Sequence, residues 1–513
     1  MKIIITFIFL LLSYSIFAQD STVSSAFKDN LPNKKYPLIK PKYPSYPLMT
    51  GFLLTQEAKK GDPFAQHELG LRYLLGRGFA PDTVAAVQWI KKAANQKLAA
   101  AQFNYAIMLI NGLGTNWNPF EAFERFKYAA ESKMPEAQYM YGSLLTDNLI
   151  VNKDMTEAYK WIKKASDAGY EPAAEALKSM MESGMVLPAD PNYNNNINAQ
   201  LDSSALSNFS GALTSSPIEL DFYDFSSDSV THDEKLIREI FDKNYEEVKN
   251  ILGIRNSNTD SSTVDSTISG LIKFASESGS PEALILEAKS YENGYKVKKD
   301  LILAAEKYIR SLRLGSQRSA AFLLKLIKEN KFMQKLEKGV NNGEPDAKYV
   351  WAGLVALGFN YSITGKQALE LLESAADEGH IYSIIELGLC YYNGNLVDKD
   401  RNRAVEYWQK AHNLGSEEGR IRIILDRVRR ANKSDNFSQE IKILKRNAAE
   451  GSVLAEMALA YCYEFGIGLP VDKAEAVKYY RRAAQRGNEA AYNSLLKIYD
   501  SVRPNDDKYN IVE

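Results

Sequence analysis

Small residues mark a period of 36 residues along most of this chain. They stand at Ala65, Ala101, Ala137 and Ala173, again at Ala283 and Ser319, and in a second phase at Ala347, Ser383, Gly419, Ala455 and Ala491. Counted from each marker, the fifth following position is small at Gly70, Ala106, Gly142, Ala288, Ala352, Gly388 and Ala460, and the eighth is aromatic at Tyr73, Tyr291, Tyr391 and Tyr463. Positions 0, 1, 4, 5 and 8 share one face of a helix, so the pattern predicts an amphipathic helix whose small-residue stripe admits a close neighbour. The eleventh position is glycine at Gly76, Gly112, Gly294, Gly358, Gly394 and Gly466, as a helix stop requires.

The other half of each period is equally regular. Seventeen residues after the marker stands a side chain able to cap a helix N-terminus: Asp82, Asn118, Asp154, Asp300, Thr364, Asp400, Asn436 and Asp472. Alanines and aromatic residues follow, for example Ala86 with Trp89, Ala122 with Phe126 and Ala476 with Tyr480, and they write a second amphipathic helix. A pair of this size cannot bury its apolar face alone, so neighbouring pairs must stack into an all-α solenoid. At Ala65, Gln66, Leu69, Gly70, Tyr73, Gly76, Gly78, Asp82, Ala86, Trp89 and Ala93, and again between residues 451 and 487, the sequence resembles the Sel-one-like repeat (SLR), a 36-residue relative of the tetratricopeptide repeat. The resemblance covers roughly 350 residues. It implies a right-handed superhelical α-solenoid of antiparallel helix pairs, and it is far more specific for fold than for function.

Three departures break the array. From Ser319 to Ala347 is only 28 residues, which predicts a pair that has lost its middle turn and the start of its second helix. The period from Gly419 has Ile424 where a small residue belongs and Arg430 where glycine belongs. Between Ala173 and Ala283 the spacing is not a multiple of the period, and residues 188–231 are rich in asparagine and serine, which predicts a disordered linker. The expected organisation is a signal peptide over 1–18, a proline-rich extended segment over 19–50, a first repeat block over 51–186, a linker over 187–232, a second block over 233–501 and a tail over 502–513. Within it, residues 234–252 read as a helix and 267–277 as the helix that restarts the array.

The start of the chain changes the picture of where it works. Lys2 precedes an apolar run over residues 3–12, and small residues lead to Ala18, which predicts cleavage there and export to the periplasm or beyond. The run is shorter than the roughly 20 residues needed to cross a bilayer, and no integral span is expected after cleavage. Sixty-three basic residues against 64 acidic ones leave a net charge of -1, which gives no pull toward nucleic acid. Cys390 and Cys462 occupy equivalent sites two repeats apart, roughly 20 Å at about 10 Å per stacked helix, and should stay unpaired. His67, His232, His380 and His412 share no ligand spacing, so neither metal nor cofactor is expected, and His67 reads as a surface residue.

No nucleophile elbow, phosphate loop or isolated carboxylate pair is written here, and the chain reads as a non-catalytic scaffold for protein partners. Two alternatives remain at this level: an envelope protein that binds cell wall or glycan, and an enzyme with a site between the blocks. Offsets 2, 6 and 9 of the first helices lie opposite the packing stripe and are expected to line a concave partner-binding groove. They include Phe103, Ile107, Ile110, Tyr139, Ile385, Leu389, Tyr392, Met457 and Tyr461. Tight curvature that buries them against neighbouring repeats is the competing reading.

Overall fold

A computed structural model describes residues 46, 49–182, 243, 248–249, 252, 254 and 267–511, apart from 317, 330, 361 and 432–434. The signal segment, nearly all of the proline-rich stretch, the linker and most of the helix expected over 234–252 lie outside the described residues. Among the described residues there are twenty-two α-helices and no β-strand. They are α1 Gly51–Lys59, α2 Pro63–Leu75, α3 Thr83–Asn95, α4 Ala99–Ile110, α5 Pro119–Glu131, α6 Pro135–Leu144, α7 Met155–Asp167 and α8 Glu171–Glu182. After the gap follow α9 Ile268–Glu277, α10 Pro281–Asn293, α11 Leu301–Arg313, α12 Arg318–Ile327, α13 Phe332–Asn341, α14 Pro345–Ala356 and α15 Gly365–Asp377. The series closes with α16 Ile381–Asn393, α17 Arg401–Asn413, α18 Glu417–Arg429, α19 Ser438–Ala449, α20 Val453–Phe465, α21 Lys473–Gln485 and α22 Glu489–Asp500.

The fold is an α-solenoid of antiparallel helix pairs, each helix packing chiefly on its neighbours in sequence. Every period marker from Ala65 to Ala491 is buried. The small fifth position matters because the second helix of the pair arrives there: a Cβ on Gly70 would sit 2.5 Å from Ile90 Cγ1, and one on Gly388 would sit 2.3 Å from Trp408 Nε1. Between the two helices of a pair, a backbone clasp repeats. The N–H groups of Asp82, Asp154, Asp300, Asp400 and Asp472 donate to the carbonyls of Tyr73, Leu145, Tyr291, Tyr391 and Tyr463, each at 2.9 Å. Of the expected caps, Asp82, Asn118, Asp154, Asp300, Thr364 and Asp400 accept a backbone N–H through their side chains. Asn436 stands one residue too early, and Phe437 occupies the cap of α19.

The turn that ends each pair needs a left-handed residue, usually glycine, as at Gly169 (φ 84°) and Gly379 (φ 87°). Lys97 and Lys133 take the same place at φ 66° and 63°. A side chain in that region costs about 1–2 kcal/mol, partly offset by the extra unfolded-state freedom a glycine brings. Lys97→Gly and Lys133→Gly together should therefore raise the thermal midpoint, by up to about 1 kcal/mol of stability per site. A lowered midpoint would show that the lysine side chains hold these turns.

The shortened pair differs from expectation in its details. α12 and α13 are each ten residues long, so both helices are trimmed and not only the start of the second. The consequence is that α14 reaches past this pair to α11, where Gly353 faces Ile309 at a distance that leaves a Cβ only 3.1 Å of room.

Contacts group the chain into two compact units, one holding residues 225–472 with 479–493, the other 2–224 with 473–478 and 494–513. Inside the first unit the last pair returns to the first. Asn488 Nδ2 donates to Leu314 O at 2.9 Å, Asn488 forms an isolated bridge with Ser316, and Arg486 binds Glu282. Inside the second, Tyr499 meets the edge of Trp117 at 5.1 Å, Arg503 donates to Leu149 O and Ile150 O, and Tyr509 OH donates to Glu124. Residues around Tyr509 are thus packed and do not trail from the last helix.

Candidate functional site

The structure corrects most of the expected groove. Phe103, Ile107, Ile110, Tyr139, Ile385 and Met457 are all buried. The reason is visible in α4, whose sequence AAAQFNYAIMLI is apolar on every side but for Gln102 and Asn104, and every residue from Ala101 to Ile110 is buried. Offset 2 is a packing seam: Phe103 meets Phe126 edge-on at 5.5 Å, and Tyr139 lies 5.5 Å from Tyr170. His67 occupies the same offset and is fully buried, not at the surface as its sequence context suggested. Its Nε2 pairs with Asn104 Nδ2 at 2.8 Å, and burial pushes its pKa down to about 3.

Leu389, Tyr392 and Tyr461 remain half-buried. Tyr461 lies 4.5 Å from Phe465, which is 45% exposed, so these two rings form an aromatic surface step on α20. Tyr392 accepts hydrogen bonds from Arg401 at 3.0 Å and Arg429 at 3.5 Å. Burial raises its phenol, but the two guanidinium donors outweigh that and hold its pKa below the ordinary tyrosine range. Cys390 and Cys462 are free and buried, as their spacing predicted, and burial pushes both thiols up to about 12.

A partly buried charged cluster that sequence reasoning missed lies in the first unit. Glu306, Lys307 and Arg310 come from α11, Asp346 from the first turn of α14, and His380 from the cap of α16. His380 Nε2 is 3.1 Å from Asp346 Oδ1, and Lys307 Nζ is 3.2 Å from Glu306 Oε1 and 3.7 Å from Glu287 Oε1. Arg310 lies over the Tyr382 ring at 3.7 Å from its centroid, and its Nη1 is 3.9 Å from Glu306 Oε1. One carboxylate oxygen each of Glu306 and Asp346 and one ring nitrogen of His380 all fall within 4.8 Å of one another. The three residues stand 40 and 34 positions apart, so no local motif announces them.

A profile of the Sel1 repeat matches residues 63–98, 99–133, 135–170, 281–316, 365–380, 381–416 and 453–488. The chain is a Sel1-repeat protein. The profile passes over the shortened pair and the period from Gly419, where the Sel1 spacing or its small residues fail, yet helices form there. The Sel1-repeat chain is 30% identical over 107 residues to DAP3-binding cell death enhancer 1 of Mus musculus, 21% of each protein. It is 27% identical over 239 residues to chitin synthase regulatory factor 4 of Schizosaccharomyces pombe, 44% of this chain and 34% of that one. It thus spans a fifth to a third of the length of these relatives. Among solved structures it is similar to c5321, a protective antigen of uropathogenic Escherichia coli with an SLR fold, at 18% identity and a TM-score of 0.30, over 90% of this chain and 84% of that one.

Proposed function

We propose that this Sel1-repeat chain is an exported, non-catalytic scaffold that holds protein partners on the exposed faces of its helix pairs. The observation that carries the reading is the Tyr461 and Phe465 step: a half-buried ring and a 45% exposed ring side by side, where six of the nine residues expected to line the groove are buried. Aromatic and arginine side chains are the usual anchors of protein interfaces, and Tyr392 with Arg401 and Arg429 supplies a second such group. A relative named for binding and another named as a regulatory factor support an interaction role. Export rests on the charged start, the apolar run and Ala18.

Two measurements test this. The mature protein should begin at Gln19 and be recovered from the cell exterior or envelope; an intact N-terminus in the cytosol contradicts export. Tyr461→Ala with Phe465→Ala should weaken capture of a stoichiometric protein partner from envelope extracts by about 30-fold or more, with helicity unchanged. Unaltered capture, or sedimentation of the wild type with purified wall material in its place, would turn the reading toward a polymer binder.

A further inference from the structure

We propose that Glu306, Asp346 and His380 form a binding site for a divalent transition-metal cation of the zinc class. Their three donor atoms already lie within 4.8 Å of one another, so closure to the roughly 3.4 Å separation of ligands on a tetrahedral ion asks for shifts of about 1 Å. The donors are one imidazole and two carboxylates, a set that suits zinc better than magnesium or calcium, which take oxygen ligands. Three protein ligands leave a fourth position for water.

A second observation points the same way. Glu306 is 2% exposed, and its Oε1 accepts no well-formed hydrogen bond, with Lys307 Nζ at 3.2 Å and Arg310 Nη1 at 3.9 Å as ion-pair neighbours; His380 Nε2 is buried with Asp346 Oδ1 at 3.1 Å beside it. Buried polar atoms are nearly always hydrogen-bonded, and Glu306, a member of this three-residue cluster, carries an exception. Lys307 is the resident competitor, its ammonium 3.2 Å from that oxygen without hydrogen-bond geometry. It has a second place to go, because Glu287 Oε1 lies 3.7 Å away. A bound cation would thus send Lys307 from Glu306 to Glu287. Asp346, with its side chain 45% exposed, gives the ion a way in from solvent.

The imidazole is held for either state. Its Nδ1 accepts from Ser383 N–H at 3.2 Å as the cap of α16, which leaves the proton on Nε2, toward Asp346. The same Nδ1 is 2.8 Å from Ser383 Oγ, so it can carry the proton and donate there, which frees the Nε2 lone pair for metal and fixes the ring. Cation binding is therefore coupled to a tautomer exchange within one residue.

Calorimetric titration of the chelator-stripped full chain with Zn2+ should show one equivalent bound. Glu306→Gln and His380→Gln should each weaken it by at least ~10-fold, and Lys307→Met should tighten it. In nitrogen-edited spectra of the wild type, zinc should convert His380 to the Nδ1–H form with a shift at Nε2. The Lys307→Met variant, in which Glu306 keeps Arg310 Nη1 at 3.9 Å as its one remaining ion-pair neighbour of the two, should gain more thermal stability from zinc than the wild type does. Absence of binding, undiminished binding by a folded Glu306→Gln variant, weakened binding by Lys307→Met or equal affinity for Mg2+ would each overturn the site. The spectral readout on wild-type protein stands even where the Gln variants do not fold.

Discussion

Arg486→Ala should destabilise the unit formed by residues 225–472 and 479–493 by about 3–5 kcal/mol, the largest effect expected from an ion pair among the described residues. The guanidinium is 10% exposed and spends its donors on four groups. It holds both oxygens of Glu282 at 2.8 to 3.1 Å, Glu456 Oε2 at 3.2 Å, Ser280 Oγ at 3.2 Å and the carbonyl of Gly451 at 2.6 Å. Removing it leaves Glu456, whose side chain is 1% exposed, with Arg482 alone, and strips Glu282 of this partner. The cost is that of a buried charge without compensation, which far exceeds the Coulombic worth of a surface pair. Arg125 with Glu121, 24% and 30% exposed, is the internal comparison: its removal should cost about 0.5 kcal/mol or less. Arg486→Lys should recover only part of the loss, because an ammonium cannot reach both carboxylates and the carbonyl in one geometry. Urea unfolding followed by hydrogen exchange measures both effects, with α10 and α20 exchanging faster in Arg486→Ala. A loss under 1 kcal/mol would mean that the return of the last pair onto the first is held elsewhere.

How much of this was legible beforehand follows from which contacts are local. The marker residues, the αL glycines and the capping side chains each act within one helix pair, and a sequence period exposes them because the same contact recurs at the same offset. The groove assignment failed for the opposite reason. Facing away from the small-residue stripe leaves exposure and burial as competing readings, and burial prevails at Phe103 and Tyr139 because a helix in the middle of a stack has neighbours on several sides. The nearly uniform apolar character of α4 was the available signal, and it outranks the offset rule. The Glu306, Asp346 and His380 cluster was invisible for another reason again. It depends on the shortened α12 and α13 pair letting α14 pack on α11, and the spacing of Ser319 to Ala347 gave the loss of residues without its spatial result.

Lowering the pH should make His67 weaken the helix pairs around it, and the sign is set by burial. In the fold the imidazole is fully buried and its pKa falls to about 3, against 6.5 when the chain is unfolded. The neutral form is the one the fold accepts, so the contribution to stability is complete above pH 6.5 and is lost as the pH falls from 6.5 toward 3. Each pH unit in that window removes about 1.4 kcal/mol, so near pH 4.5 the loss is about 3 kcal/mol. Carboxylates across the chain also titrate in this range, and the clean measurement is therefore a difference. His67→Gln retains a polar side chain for Asn104 but nothing that protonates, so its stability should fall less steeply with acid. The two curves should converge below pH 6.5 as the wild type loses its advantage. Parallel curves from pH 7 to 4 would show that a proton on His67 finds compensation inside the fold, and the packing seam at offset 2 would then be less dry than the burial of Phe103, Tyr139 and His67 implies.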